Sequence, residues 1–166
     1  MNTVFPDYQN SILSAASSLL RHYGVETAHS GLAAVDQALS VPCKNKIMII
    51  LDGMGSEFLR RMLPADCFFR RHFQCDLSSV YPCTTTAATT TLLSGQSPAE
   101  HGWIGWSCWF KEFGRSVDLF LDRDSLNGTP VEPSPAQSLL PFDDLTARIE
   151  RASPNAVQCQ IGRAHV

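Results

Sequence analysis

The stretch from Tyr81 to Gly95, Tyr-Pro-Cys-Thr-Thr-Thr-Ala-Ala-Thr-Thr-Thr-Leu-Leu-Ser-Gly, constrains this chain more than any other. Cys75 to Val80 mixes β-branched, apolar and small residues and reads as a strand that stops at Tyr81-Pro82, where proline removes a ladder donor. A turn follows, then a helix over about Thr86 to Ser94, with Leu92 and Leu93 on an apolar face and Gly95 at the place of a left-handed C-cap. Six threonines in eight positions suit a helix poorly, because β-branching stiffens χ1 and the hydroxyl competes for backbone partners. Two explanations stay open. The threonines cap the helix and tile a small-residue packing face. Alternatively, a hydroxyl at the helix start, beside unpaired N–H groups and the positive end of the dipole, serves a phosphate or another oxyanion.

A second stretch bears on that choice. Lys46-Ile-Met-Ile-Ile-Leu51 is an apolar run of strand length, the pattern of a strand buried on both faces of a parallel sheet, and it ends in Asp52-Gly53-Met54-Gly55. An acid at the carboxyl end of such a strand, followed by glycines, lies where open α/β sheets bind ligands. It also suits a cap for the helix that starts near Ser56. Asp52 and the threonine turn follow successive strand candidates, so a parallel sheet would set both on one edge, a carboxylate facing a hydroxyl.

Three segments carry a resemblance: Leu51-Asp52-Gly53-Met54-Gly55; Val80-Tyr81-Pro82-x-Thr84-Thr85-x-Ala-Ala-Thr-Thr; and Ser94-Gly95-x-x-Pro98-x-x-His101-Gly102-Trp103. In this order, over roughly Ile47 to Trp106, they resemble the N-terminal part of alkaline phosphatase superfamily proteins, nearest the type I phosphodiesterase/nucleotide pyrophosphatase group and its bacterial relatives. The resemblance implies an α/β fold, a three-layer α/β/α sandwich with a mostly parallel sheet. It also implies two divalent metal ions, usually zinc, with Asp52 binding one of them. Counting back from the Ser-Gly that matches the family's Thr-Gly places the metal-bound nucleophile on Thr85, with Thr84 the near miss. The N–H of Thr86 would share developing charge. Trp106 stands where the nucleotide pyrophosphatases carry an Asn that contacts a phosphoryl oxygen, which leaves monoesters, phosphonates and sulfates open beside diesters. His101 is not among that family's metal ligands and reads as holding its loop.

The last six residues, Ile161-Gly-Arg-Ala-His-Val166, are similar to the in-frame translation of the opening of a common sequencing-library adapter. Residues 1–160 are then expected to be the front of a longer catalytic domain, incomplete because the chain is truncated, with 161–166 an adapter-derived tail. The remaining metal ligands of the resembled enzymes come later in sequence, so this fragment is expected to be inert while the intact parent hydrolyses a small phosphoester. Two other readings remain: a phosphomutase-like isomerase of the same superfamily, and a non-catalytic α/β module that holds an anion at the threonine turn.

Composition narrows the partners. The chain has 166 residues, is 44% hydrophobic and carries a net charge of −3 with its Lys and Arg scattered, which argues against a nucleic-acid polymer as partner. It contains no apolar run long enough to span a membrane. The N-terminus lacks a signal peptide's basic start and apolar core, so a cytoplasmic setting with reduced cysteines is expected. Cys67, His72, Cys75 and Cys83 fall close together but match no familiar zinc module, and Cys83 lacks the arginine of a cysteine phosphatase loop. His22 and His29 read as surface or core-edge histidines.

Periodicity predicts amphipathic helices over Tyr8–Tyr23 and Leu32–Leu39, a helical turn or two over Ser56–Met62, and a helix opening at Pro141 and running to about Arg151. Val117, Leu119 and Leu121 alternate as in a half-exposed strand over Arg115–Arg123, and Asn155 to Gln160 could form another strand. Trp103, Trp106 and Trp109, at intervals of three, line a pocket or pack as an aromatic cluster.

Overall fold

A computed structural model describes residues 5–156. The proposed tail 161–166, and all but the first residues of the strand expected over 155–160, lie outside the described residues. Helices and one small sheet make up the structure. The first helix, α1 (Ile12–His22), places Leu13, Ala16 and Leu20 on one buried face, the i, i+3, i+7 spacing of an amphipathic helix. Ser11 caps it, its hydroxyl accepting the Ser14 N–H at 3.4 Å. After α2 (Ala33–Ser40), α3 (Ser56–Met62) and α4 (Phe68–Arg71), the threonine stretch forms α5 (Thr85–Ser94). It begins one residue earlier than the sequence predicts and ends at Gly95, whose φ of 69° is the expected left-handed cap.

The α1 helix packs against α2, α5 and the last helix. Its Leu13 side meets Val80 and Ala87 of α5, while Ala16 and Leu20 meet Leu145 and Ile149 of the last helix. Ser14, Ser17 and Ser18 of α1 and Thr86, Thr90, Thr91 and Ser94 of α5 are buried as well. Thr86, Thr90 and Thr91 thus occupy interior positions, so part of the threonine excess has a packing cause.

A short helix, α6 (Pro98–His101), follows α5 and carries a capping box: Ser97 N–H donates to Glu100 Oε2 at 2.6 Å, and the Ser97 side chain accepts from the N3 backbone in turn. Three strands then form a meander, β1 (Ser107–Phe110), β2 (Arg115–Asp118) and β3 (Arg123–Asp124), antiparallel throughout, with Phe110 opposite Arg115 and Val117 opposite Asp124. Trp103, Phe110, Val117, Leu119, Val131 and Ala136 make a second core against it. The predicted alternation holds for Val117 and Leu119, which are buried, and fails at Leu121, where the chain turns through Asp122 at φ 48° and leaves Leu121 half exposed. The chain closes with α7 (Pro135–Leu139) and α8 (Leu145–Ala152). Asp144 caps α8 by accepting the Thr146 N–H at 2.8 Å, so Pro141 to Asp143 precede the helix rather than opening it.

The parallel sheet expected from the apolar runs is not seen among the described residues. Lys46–Leu51 forms no strand and is exposed, Ile47 at 83% and Ile49 at 75%. Cys75–Val80 reduces to a single parallel bridge, Ser78 with Ser11, held by Ile12 N–H to the Ser78 carbonyl at 3.1 Å and Ser78 N–H to the Asn10 carbonyl at 2.9 Å. The physical reason is that a strand apolar on both faces is stable only with ladder partners at its edges and helices over its faces. None of the three buried clusters includes a residue between 41 and 79. The three-layer sandwich is likewise not present in the described part.

Candidate active site at the start of the threonine helix

Thr84 is the N-cap of α5, with extended backbone at φ −84° and ψ 154°. Its hydroxyl accepts the Ala87 N–H at 3.2 Å and donates to the Ile104 carbonyl at 3.1 Å. The Thr84 hydroxyl is thus engaged both as donor and as acceptor. Thr85, the first helical residue, is half-buried, and its hydroxyl makes no hydrogen bond among the described residues. Neither do the N–H groups of Thr85 and Thr86, two of the donors that a helix start leaves unpaired. Thr86 itself is 1% exposed, and its buried hydroxyl has no partner among the described residues, so its side chain belongs to the interior.

The loop after α6 frames this end. Because the Ile104 carbonyl rests on Thr84, Trp106 lies two residues from the α5 start, a reach of about 7 Å of extended chain. Trp106 is 45% exposed and meets Phe120 edge-on at 5.9 Å, while Trp103 is buried against Phe120 and Phe142. Trp109 is 68% exposed, so the three tryptophans do not form one cluster. Asp118 sits beside Trp106 and accepts from the Ser107 and Ser125 hydroxyls, the latter at 2.7 Å; these bonds hold its carboxyl below the usual carboxylate range.

His101 holds the loop, as the sequence suggests, but does so through the helix. Its Nδ1 accepts the Trp103 N–H at 3.0 Å, which places the ring proton on Nε2, 3.2 Å from the Thr91 hydroxyl. Burial pushes the imidazole down to about 4, so the ring is neutral at pH 7. The Ile104 carbonyl has no counterpart in the sequence pattern, because a backbone acceptor carries no residue signature.

Asp52 lies in the exposed turn before α3, next to Gly53 at φ 71°. No hydrogen bond or ion pair joins it to Thr85 among the described residues, and Lys46–Leu51 before it contributes to none of the three buried clusters. Whether these residues suit a metal can be judged from the donors: among the described residues no three His, Cys, Asp or Glu side chains come together as a metal-holding group. One carboxylate and one alcohol fall short of the three or four protein ligands that zinc takes. The described residues do not by themselves fit a metal site. The five cysteines among them are free thiols and also assemble no site.

What class of protein this framework serves is answered by comparison with known families. The family model described as type I phosphodiesterase / nucleotide pyrophosphatase matches residues 46–137, more than half of the chain and all three of the motif-bearing segments. The chain belongs to that family, in keeping with the alkaline phosphatase superfamily. No curated protein and no solved structure matches it. None of the helices among the described residues is long and apolar enough to cross a membrane.

Proposed function

We propose that the chain carries the nucleophile half of a phosphoester hydrolase site, with Thr85 as nucleophile. The observation that supports this most is the division of labour between two adjacent hydroxyls. Thr84 is committed to Ala87 N–H and the Ile104 carbonyl, while the Thr85 hydroxyl at the helix start has no hydrogen-bond partner among the described residues. In the proposed reaction Thr85 Oγ passes its proton to solvent water as it attacks phosphorus; the new Thr85 O–P bond forms as the ester O–P bond breaks, and the leaving oxygen keeps the electron pair and takes a proton from water. A second water then attacks phosphorus, breaks the Thr85 O–P bond, and its proton restores the Thr85 hydroxyl as phosphate leaves. The unpaired Thr86 N–H and the helix dipole face the charge that develops on the phosphoryl oxygens. Trp106 offers a ring at the rim of the same site and would contact the ester substituent.

Dependence on two divalent metal ions, zinc first, belongs to the proposal, with Asp52 and Thr85 as two of the donors. The donor set is completed by residues other than the described ones, so the 166 residues alone are proposed to be catalytically silent. In the complete domain Lys46–Leu51 and Cys75–Val80 would be neighbouring interior strands of a parallel sheet, which brings Asp52 to Thr85.

The test is hydrolysis of an aryl phosphodiester and an aryl phosphomonoester by the full-length enzyme and three variants, with metal content measured alongside. Thr85→Ala is expected to lose turnover by at least a thousandfold while folding normally. Thr84→Ala should retain measurable turnover at a cost of about 1 kcal/mol of stability for the lost cap. Asp52→Asn should be nearly inactive through lost metal and recover in part at high zinc. Full activity in Thr85→Ala would refute the assignment.

A further inference from the structure

Among the described residues outside the reacting ones, His101 is tied both to α5 and to the loop that follows α6. It is 2% exposed, accepts the Trp103 N–H of the loop, and meets the middle of α5 at the Thr91 hydroxyl, with the Ala87 backbone of the same helix beside the ring. The same loop touches the helix a second time, where the Ile104 carbonyl meets the Thr84 hydroxyl. Thr84 and Thr91 are seven residues apart, about 10 Å along a helix axis at 1.5 Å per residue. One tether would hold the loop to the helix at a single point; two at that separation also fix the loop's register along it. The loop is itself braced, by the Ser97–Glu100 capping box and by Glu100 bonding His29 at 2.7 Å, so it acts as a frame rather than a follower.

From this geometry we infer that His101 is a positioning residue for Thr85: by joining Trp103 to Thr91 it holds the loop where the Ile104 carbonyl can occupy the Thr84 hydroxyl, and so fixes the direction of the neighbouring Thr85 hydroxyl. The inference rests on Thr85 as nucleophile. Only a neutral imidazole serves, because the clamp needs one acceptor toward the Trp103 N–H and one donor toward Thr91, on opposite sides of a rigid ring. An asparagine can imitate the Nδ1 acceptor but is too short to reach the helix. A leucine fills the space with neither bond.

The experiment compares His101→Asn, His101→Leu and Thr91→Val in the 166-residue chain by amide hydrogen exchange, with the ring nitrogens of the unmodified chain observed by NMR at pH 7. The ring should show Nδ1 bare and Nε2 protonated. The Ala87 amide, which bonds Thr84, should exchange at least tenfold faster in all three variants. The Trp103 amide should stay protected in His101→Asn and lose protection in His101→Leu. Amides of Ala16 and Ile149, in the other core, should stay within twofold. Unchanged Ala87 protection, a proton on Nδ1, or equal acceleration at Ala16 and Ile149 would each overturn the clamp. Should His101→Leu fail to fold, His101→Asn and Thr91→Val still decide. In the full-length enzyme the same two variants should lower kcat at least tenfold with KM within twofold; loss of Ala87 protection with kcat intact would refute the positioning role. Absence of phosphoesterase activity in the unmodified enzyme would refute the functional reading and leave the exchange result to decide the clamp.

Discussion

At position 95 two constraints act on one residue. Gly95 has φ 69°, and a Cβ built there would stand 2.4 Å from Leu20 Cδ1. Left-handed backbone costs an L-residue about 1–2 kcal/mol and forced overpacking about 1–3 kcal/mol more. Gly95→Ala should therefore lower the unfolding free energy in urea by about 2–5 kcal/mol. Gly24→Ala, at φ 77° with nothing within 4 Å of the new Cβ, should cost only the backbone share, about 1–2 kcal/mol. The pattern of a helix ending in glycine exposes the first constraint to a reader of the sequence; the second requires knowing that α1 passes behind it. His101 gives a pH prediction of known sign. Its ordinary value of 6.5 falls to about 4 in the fold, so between those values the unfolded chain binds a proton that the folded chain refuses. The contribution is fully present above pH 6.5 and is lost as pH drops toward 4, by on the order of 3 kcal/mol at 1.36 kcal/mol per unit. Glu100 and Asp118, both held below the usual carboxylate range, add the same sign at lower pH. Denaturant midpoints at about pH 7 and pH 4.5 should show a smaller drop for His101→Asn than for the unmodified chain.

Among the elements, α8 illustrates how an amphipathic pattern is converted into stability. Leu145 and Ile149, four residues apart, are buried against Ala16 and Leu20, while Glu150 is exposed. Ile149→Ala should cost about 2–5 kcal/mol by lost burial and the cavity left behind, and Glu150→Ala less than about 0.5 kcal/mol. Arg148 adds a polar tie: its guanidinium donates to the Ser94 carbonyl at the C-terminus of α5 at 2.8 Å and to the Glu26 carbonyl at 3.0 Å. Arg148→Met removes both bonds and leaves a helix-end carbonyl without its cationic partner, a loss of about 1–3 kcal/mol measurable by the same unfolding assay. The spacing of Leu13, Ala16 and Leu20 makes α1 legible in the amino-acid pattern alone. The start of α8 is not legible in the same way, because Pro141 and two acids mimic a helix opening, whereas the side chain that reaches the Thr146 N–H is Asp144.

For the molecule as a whole, the described residues divide into a part organised around α1 and the meander, and a segment from Val41 to Leu77 that joins no buried cluster. Ile47, Ile49, Met62 and Phe68 in that segment are each more than 60% exposed. Segments with so little burial open at low free-energy cost. Limited trypsin digestion of the 166-residue chain should therefore cut first at Lys44, Lys46, Arg60, Arg61, Arg70 or Arg71. Arg21 and Arg148, within packed helices, should resist, and early cleavage there would contradict this division. What the sequence by itself determined were the features whose cause is local: the amphipathic faces, the cap at Gly95, the hydroxyl-rich helix start with Thr84 and Thr85 adjacent, and the order of the three segments that place the chain in its family. What only the tertiary structure decided were the features set by distant partners. Thr84 loses its freedom to the Ile104 carbonyl, His101 spans from loop to helix, and Thr86, Thr90 and Thr91 are taken into the interior. The apolar run Lys46–Leu51 marks the limit from the other side, since a hydrophobic pattern records the surroundings a segment suits, while a strand exists only where ladder partners stand beside it.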